Sequence, residues 1–210
     1  MIFEKHKIIF IHNPKTGGSS ISFLLNGQGD NLFLGWHCPW KEHERILSKK
    51  IIENYKKIIF IRNPWDRLVS AFKWYKNGGI KSKRDLLIQK NIPDSFTEFI
   101  KNIEKFTVCD IPTDNPPYYK IPHFLPQSFM MGNAHYDFIG KFENFENDVF
   151  EIFKKVLKIN FKKIPNINKN YKKDYKIYYN KYTYDKIKNI FSEDIEKFEY
   201  NLKNKIFYFL

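Results

Sequence analysis

Two short apolar runs set the pattern of the chain: Ile8, Ile9, Phe10, Ile11 and, fifty residues later, Ile58, Ile59, Phe60, Ile61. Runs of β-branched and aromatic residues at this length, bounded by lysines and a turn, predict buried strands. After the first run comes a Pro/Gly-punctuated turn and then Ile21, Leu24 and Leu25 at helical spacing. After the second come Asn63, a good N-cap, Pro64, suited to a first helical position, and Trp65, Leu68, Val69 and Phe72 on one helical face. The chain therefore builds a strand-loop-helix unit twice. Asn31 to Trp36 predicts a further short strand, and Pro39 opens a helix carrying Trp40, Glu44, Leu47 and Ile51. Gly78 and Gly79 end the helix after the second strand, and Ser95 with Glu98 caps a helix over 95–105. Residues 136–141 read as another core strand. Phe145, Val149, Ile152, Phe153 and Val156 form a helical stripe, and Thr183 caps a last helical region with Ile187, Ile190, Phe191, Ile195 and Phe198 on its apolar face. The fold class expected is α/β, a parallel sheet flanked by helices, in one domain over 1–210.

The chemistry gathers at the two loops. In KIIFIHNPKTGGSSISFLL, Gly17 and Gly18 leave room for a ligand near the backbone, and the helix start behind them turns unpaired N–H groups toward an anion. Lys15 adds a mobile charge, and Thr16, Ser19 and Ser20 add hydroxyl donors. The ATP/GTP loop places its lysine after the glycines, whereas here the lysine precedes them. In KIIFIRNPWDRLVSAFKWYK, Arg62 is held at the carboxyl end of a strand, and Ser70, two turns into the helix, can present a hydroxyl on the same side. Two anion-binding units suit a ligand with phosphates at both ends.

PKTGGSS after one strand and IRNPWDRLVSAFKW after another resemble the carbohydrate sulfotransferase family of the family 2 type, which uses 3′-phosphoadenosine 5′-phosphosulfate (PAPS). HFLPQSFM (123–130), DFIGKFENFENDV (137–149) and YKIYYNKYTYD (175–185) extend the resemblance over most of the chain. It implies a nucleotide-binding fold like that of P-loop NTPases, with PAPS as donor and 3′,5′-bisphosphoadenosine (PAP) as product. Lys15, Thr16, Gly17, Gly18, Ser19 and Ser20 would hold the 5′-phosphosulfate; Arg62 and Ser70 would hold the 3′-phosphate. The family often carries a Pro-His-x-Asn element after the helix of 145–156. Here Pro165, Asn166, Ile167 and Asn168 stand in its place, so only Asn168 matches.

His37 falls between the short strand and the helix opened by Pro39, at the ligand-facing end of a parallel sheet. Sulfuryl transfer to a hydroxyl needs a base for the acceptor proton, and histidine is the side chain suited to it. The expected mechanism is in-line transfer, with His37 as base and Lys15 neutralising the oxygen that bridges sulfur and phosphorus, without a required metal. The proline-punctuated stretch 107–135 reads either as an acceptor-binding loop or as a loop packing its own aromatics. Tyr118, His123 and Gln127 are its candidate sugar contacts, and His123 is the alternative base. His43 is expected on the surface and His12 as support for the first loop.

Composition narrows the partners. The 210 residues carry 36 lysines and arginines against 23 acids, a formal charge of +13, spread along the length among Asn, Ile, Tyr and Phe. Such dispersal weighs against nucleic acid as the partner and leaves part of the charge for an acidic donor. A small-molecule kinase and a non-catalytic polyanion binder are the alternative readings. The apolar runs are too short to span a membrane, and charges at Glu4, Lys5 and Lys7 occupy the place of a signal peptide's apolar stretch. A cytoplasmic, bacterial protein is expected, because animal members of the resembled family are anchored in the Golgi. Cys38 and Cys109 make neither a metal spacing nor a disulfide framework. Oligomeric state has no signal in the sequence.

Overall fold

The computed structural model describes residues 1–26, 31–32, 37–107, 121–158, 161, 163–164 and 174–200. In chain order the elements begin with β1 (Ile2–Phe3), β2 (Ile8–Ile11), α1 (Gly18–Asn26), β3 (Asn31–Leu32), α2 (Trp40–Ile46), α3 (Lys49–Asn54) and β4 (Lys56–Ile61). They continue with α4 (Pro64–Lys76), α5 (Lys83–Asn91), α6 (Phe96–Lys101), α7 (Glu104–Thr107), α8 (Gln127–Met131), β5 (Phe138–Lys141), α9 (Phe145–Glu151), α10 (Lys181–Ile190) and α11 (Ser192–Lys197). Contacts divide the chain into two units, Met1–Arg62 with Gln127–Tyr171 and Asn63–Pro126 with Lys172–Leu210.

The first unit holds the sheet, in the order β3-β1-β2-β4-β5. Its centre is parallel as expected: β2 pairs β4 from Ile8↔Lys56 to Ile11↔Ile59, and β4 pairs β5 from Ile58↔Phe138 to Ile61↔Lys141. The two-residue strand β1, which the apolar pattern did not single out, runs antiparallel to both β2 and β3, so the sheet is mixed at that edge. Ile8–Ile11 and Ile58–Ile61 are all buried, the behaviour of strands covered on both faces. On one face Ile8, Phe10, Ile58 and Phe60 pack with Ile21 and Leu25 of α1 and Val149 of α9. Full burial of each such side chain contributes about 1.5–3 kcal/mol. Gly140 lies against Phe60 so closely that a Cβ there would come within 2.3 Å of its ring. Asp137 and Asp148 close the ends of β4 and β5 by accepting from the backbone N–H groups of Lys57 and Lys141.

Two helices of the first unit differ from expectation. The helix opened by Pro39 ends at Leu47, because Ser48 caps a new one: its side chain accepts from the backbone N–H of Ile51. The stripe after Phe145 is α-helical only to Glu151 and continues as a π-helical turn, Ile152–Val156. His43 is fully buried rather than on the surface, stacked on Trp40 with Nδ1 at the carbonyl of Pro39. Burial holds its imidazole down to about 4, so it stays neutral.

The second unit is helical. Asn63 caps α4 by accepting from the N–H groups of Trp65 and Asp66, with Pro64 in the first turn, and Trp65, Leu68, Val69 and Phe72 form its buried face as the spacing predicts. Ser95 caps α6 as expected, but the helix breaks at Asn102 and resumes as α7. The cap of α10 is Asn180, in a reciprocal box with Thr183. The core joins α4 and α6 with Phe124, Tyr184, Ile187 and Phe191, and Trp65 stacks on Tyr184 with ring centroids 4.8 Å apart.

Candidate active site

The first unit carries the first loop and Arg62, which follow the adjacent parallel strands β2 and β4. The first loop is stapled to itself. Asn13 N–H donates to Ile11 O, Thr16 Oγ1 donates to Asn13 O at 2.8 Å, and Ser20 N–H donates to Gly17 O. Thr16 is fully buried, so its hydroxyl proton serves the loop rather than a ligand. Lys15 and Gly17 both take left-handed backbone, φ 65° and 83°. Only glycine adopts that conformation freely.

The space a side chain would need at the two glycines is taken by protein. A Cβ on Gly17 would stand 2.4 Å from the Phe145 ring, and one on Gly18 would stand 1.9 Å from the His12 ring. The aromatic rings therefore buttress the loop from behind. Gly17→Ala combines a strained φ with this clash, for an expected loss of about 2–4 kcal/mol. Thermal unfolding of the variant measures it, and an unchanged melting point would show that the loop yields freely.

Lys15 and Arg62 meet across the strand ends. Arg62 Nη1 donates to Lys15 O at 2.9 Å, and its guanidinium lies 4.0 Å from the centre of the Phe142 ring. Burial first, and the charge of Arg62 second, bring the Lys15 ammonium down to about 8. Two cations held together against their repulsion are poised for an anion. The unfolded Lys15 has its ordinary value near 10.5. Between about 8 and 10.5 the unfolded chain binds the additional proton, so this group makes stability rise with pH across that window. At neutral pH the charged, partly buried ammonium is a cost to the fold. Lys15→Ala should therefore raise the melting point at pH 7 while weakening anion binding, and a lowered melting point would contradict this.

His37 sits beside the same loop. Its Nδ1 is 2.9 Å from His12 O and its ring centroid 4.6 Å from that of His12. A carbonyl can only accept, so Nδ1 carries the proton and the neutral ring keeps its lone pair on Nε2. His12 itself is buried and held neutral well below the usual histidine range, by burial first and then by His37. Its support of the loop is as expected.

Gln127 joins the two loops instead of facing outward as a sugar contact. It is fully buried, with Oε1 accepting from Asn13 Nδ2 and Arg62 N–H and Nε2 donating to Arg62 O. Asn13, equally buried, was not anticipated. The signal lay in the repeat itself, since Asn-Pro follows both apolar runs at Asn13-Pro14 and Asn63-Pro64. Lys15, Thr16, Gly17, Gly18, Ser19, Ser20, His37, Arg62 and Gln127 thus all belong to the first unit. Ser70, half-buried on α4, and His123 belong to the second. His123 is buried in that unit's aromatic core, where Nδ1 shares a 3.1 Å hydrogen bond with the Tyr75 hydroxyl. Tyr118, Cys109 and Asn168 lie outside the described residues. Among the described residues no cluster of three or more metal-ligating side chains occurs, and no helix is long and apolar enough to cross a membrane.

Fold and site together define an α/β protein in which Lys15 and Arg62 come together at the ends of adjacent parallel strands. A family model described as the sulfotransferase family matches residues 1–201, and the chain belongs to that family. It is 30% identical over 119 residues to an uncharacterized protein of Archaeoglobus fulgidus, covering 56% of this chain and 79% of that one. It is 28% identical to human carbohydrate sulfotransferase 9, covering 69% of this chain, and 29% identical to rat carbohydrate sulfotransferase 10, covering 34% of it. The matches span only 38% of the human protein and 24% of the rat protein. No solved structure matches.

Proposed function

We propose that the protein transfers a sulfuryl group from PAPS to a hydroxyl, on a carbohydrate acceptor. The observation that carries the reading is the contact of Arg62 with the Lys15 loop, which sets two cations at the ends of neighbouring strands. A donor with phosphate-bearing groups at both ends of a nucleoside suits two such loops. On this reading Gly17, Gly18, Ser19 and Ser20 surround the 5′-phosphosulfate with the start of α1, and Arg62 takes the 3′-phosphate. The family match over 1–201 takes in all of the first unit and the second as far as residue 201.

In the transfer, a bond forms between the acceptor oxygen and sulfur while the bond from sulfur to the bridging oxygen breaks. His37 Nε2 takes the acceptor proton, and the carbonyl of His12 steadies the imidazolium through Nδ1–H. Lys15, as an ammonium, offsets charge on the departing oxygen. We assign His123 a structural part, because its Nδ1 is engaged with Tyr75 inside an aromatic core. Donor binding should draw a proton onto Lys15 near pH 8. Calorimetry in buffers of different ionisation enthalpy reads that uptake, and proton-independent binding at pH 8 would contradict it.

The activity is tested by incubating the protein with PAPS and a panel of neutral and acidic glycans, following PAP release and the mass of the acceptor. Sulfated glycan with equimolar PAP is the expected result. Transfer to no hydroxylated acceptor by a protein that binds PAP would overturn the catalytic part of the proposal.

A further inference from the structure

We infer that Gln127 is a positioning residue of the donor site, whose side-chain amide fixes Arg62 against the Lys15 loop and so sets the preference for a donor bearing a 3′-phosphate. The inference rests on the donor-site reading above.

The ladder between β2 and β4 ends at the pair Ile11↔Ile59, so Arg62 stands beyond it. A primary amide offers an N–H and a carbonyl side by side, as a peptide group does. Gln127 uses both on Arg62, accepting from its N–H at 2.9 Å and donating to its C=O at 2.8 Å. The side chain thereby supplies a rung where the sheet has none. Its Oε1 also accepts from Asn13 Nδ2 at 3.0 Å, and the same Nδ2 donates to Phe60 O.

The circuit then closes through the site. Arg62 Nη1 reaches Lys15 O, and Thr16 Oγ1 returns to Asn13 O. One amide thus fixes the register of the guanidinium against the loop that carries the lysine. Gln127 is itself fully buried at the start of α8, a helix that also buries Ser128, Met130 and Met131. Neither an aliphatic side chain of the same length nor a carboxylate can supply both halves of the pairing. A displacement of the guanidinium of about 1 Å is enough to cost a large factor in a positioned contact.

The test uses the full chain with Gln127→Met and Gln127→Glu, titrated with PAP and with adenosine 5′-monophosphate, which lacks the 3′-phosphate. Melting temperatures are measured alongside. Wild type should prefer PAP; each variant should lose roughly tenfold or more of that preference while holding the monophosphate to within about threefold. In an Arg62→Ala background, Gln127→Met should change the preference no further, since the two act through one contact. An unchanged preference, or equal losses for both ligands, overturns the inference. Failure of both variants to fold overturns it in favour of a purely structural bridge. A wild type that discriminates while the variants also do so sinks the role of Gln127 alone. A wild type that binds neither ligand sinks the donor-site reading and this inference with it.

Discussion

Arg62→Ala should weaken PAP binding on the order of 100-fold, equivalent to about 3 kcal/mol, and leave adenosine 5′-monophosphate binding within a few-fold. The residue follows β4, its backbone is gripped by Gln127, and its guanidinium lies between Lys15 O and the Phe142 ring. Little reorganisation is left for the moment a phosphate arrives, which is why the loss should be large. Arg62→Lys should not restore binding, because an ammonium lacks the planar fork that spans a carbonyl and a phosphate together. Removing Arg62 also removes the second cause of the lowered Lys15 ionisation, so the proton uptake linked to binding should move to higher pH. Titration calorimetry across pH reads both effects. Equal losses for the two ligands would show that Arg62 organises the loop without meeting the 3′-phosphate.

Arg67→Ala should be the most destabilising single change in the second unit, by about 3–5 kcal/mol. Arg67 is fully buried, and its guanidinium donates to the carbonyls of His123 and Leu125 and lies over the Phe191 ring at 6.0 Å. Truncation leaves both carbonyls without these donors and opens space beneath α4. Arg67→Leu refills part of that space but not the hydrogen bonds, so it should recover only a fraction of the loss. Chemical denaturation of the two variants orders them. A change below about 1 kcal/mol for Arg67→Ala would mean that solvent reaches those carbonyls.

The parts of the fold that local pattern dictates were legible. Ile8–Ile11 and Ile58–Ile61 announce buried strands, and Asn63-Pro64 and Ser95 announce helix starts, because each signal lies within a few residues of its effect. The break in the helix opened by Pro39 was not, since a strong cap at Ser48 competes with an apolar stripe that continues past it. Polar letters hid burial wherever the partner is distant in sequence. His43 reads as a surface residue until the chain's N-terminal amine, 42 residues away, meets its Nε2, and the burial of Arg67 rests on the carbonyl of His123, 56 residues away.

The site divides in the same way. Lys15, Gly17, Gly18 and Arg62 are visible from loop chemistry, and His37, five residues after β3, falls beside the first loop. Gln127 was noticed for its position in an aromatic segment, but its task depends on Asn13 and Arg62, which are 114 and 65 residues away in the chain. No periodicity carries such a pairing. The glycines were expected to clear space for a ligand, and the rings of His12 and Phe145 behind them could not be read from the loop alone.

The most direct test of the central claim is a calorimetric titration of the wild-type protein with PAP in the presence of a chelator, set against ATP with magnesium. Saturable, metal-independent binding of PAP in preference to ATP is the predicted result. Preference for ATP with magnesium would contradict the sulfotransferase donor site and favour a kinase; binding of neither, with steep salt-dependent binding of polyanions instead, would contradict it in favour of a non-catalytic role.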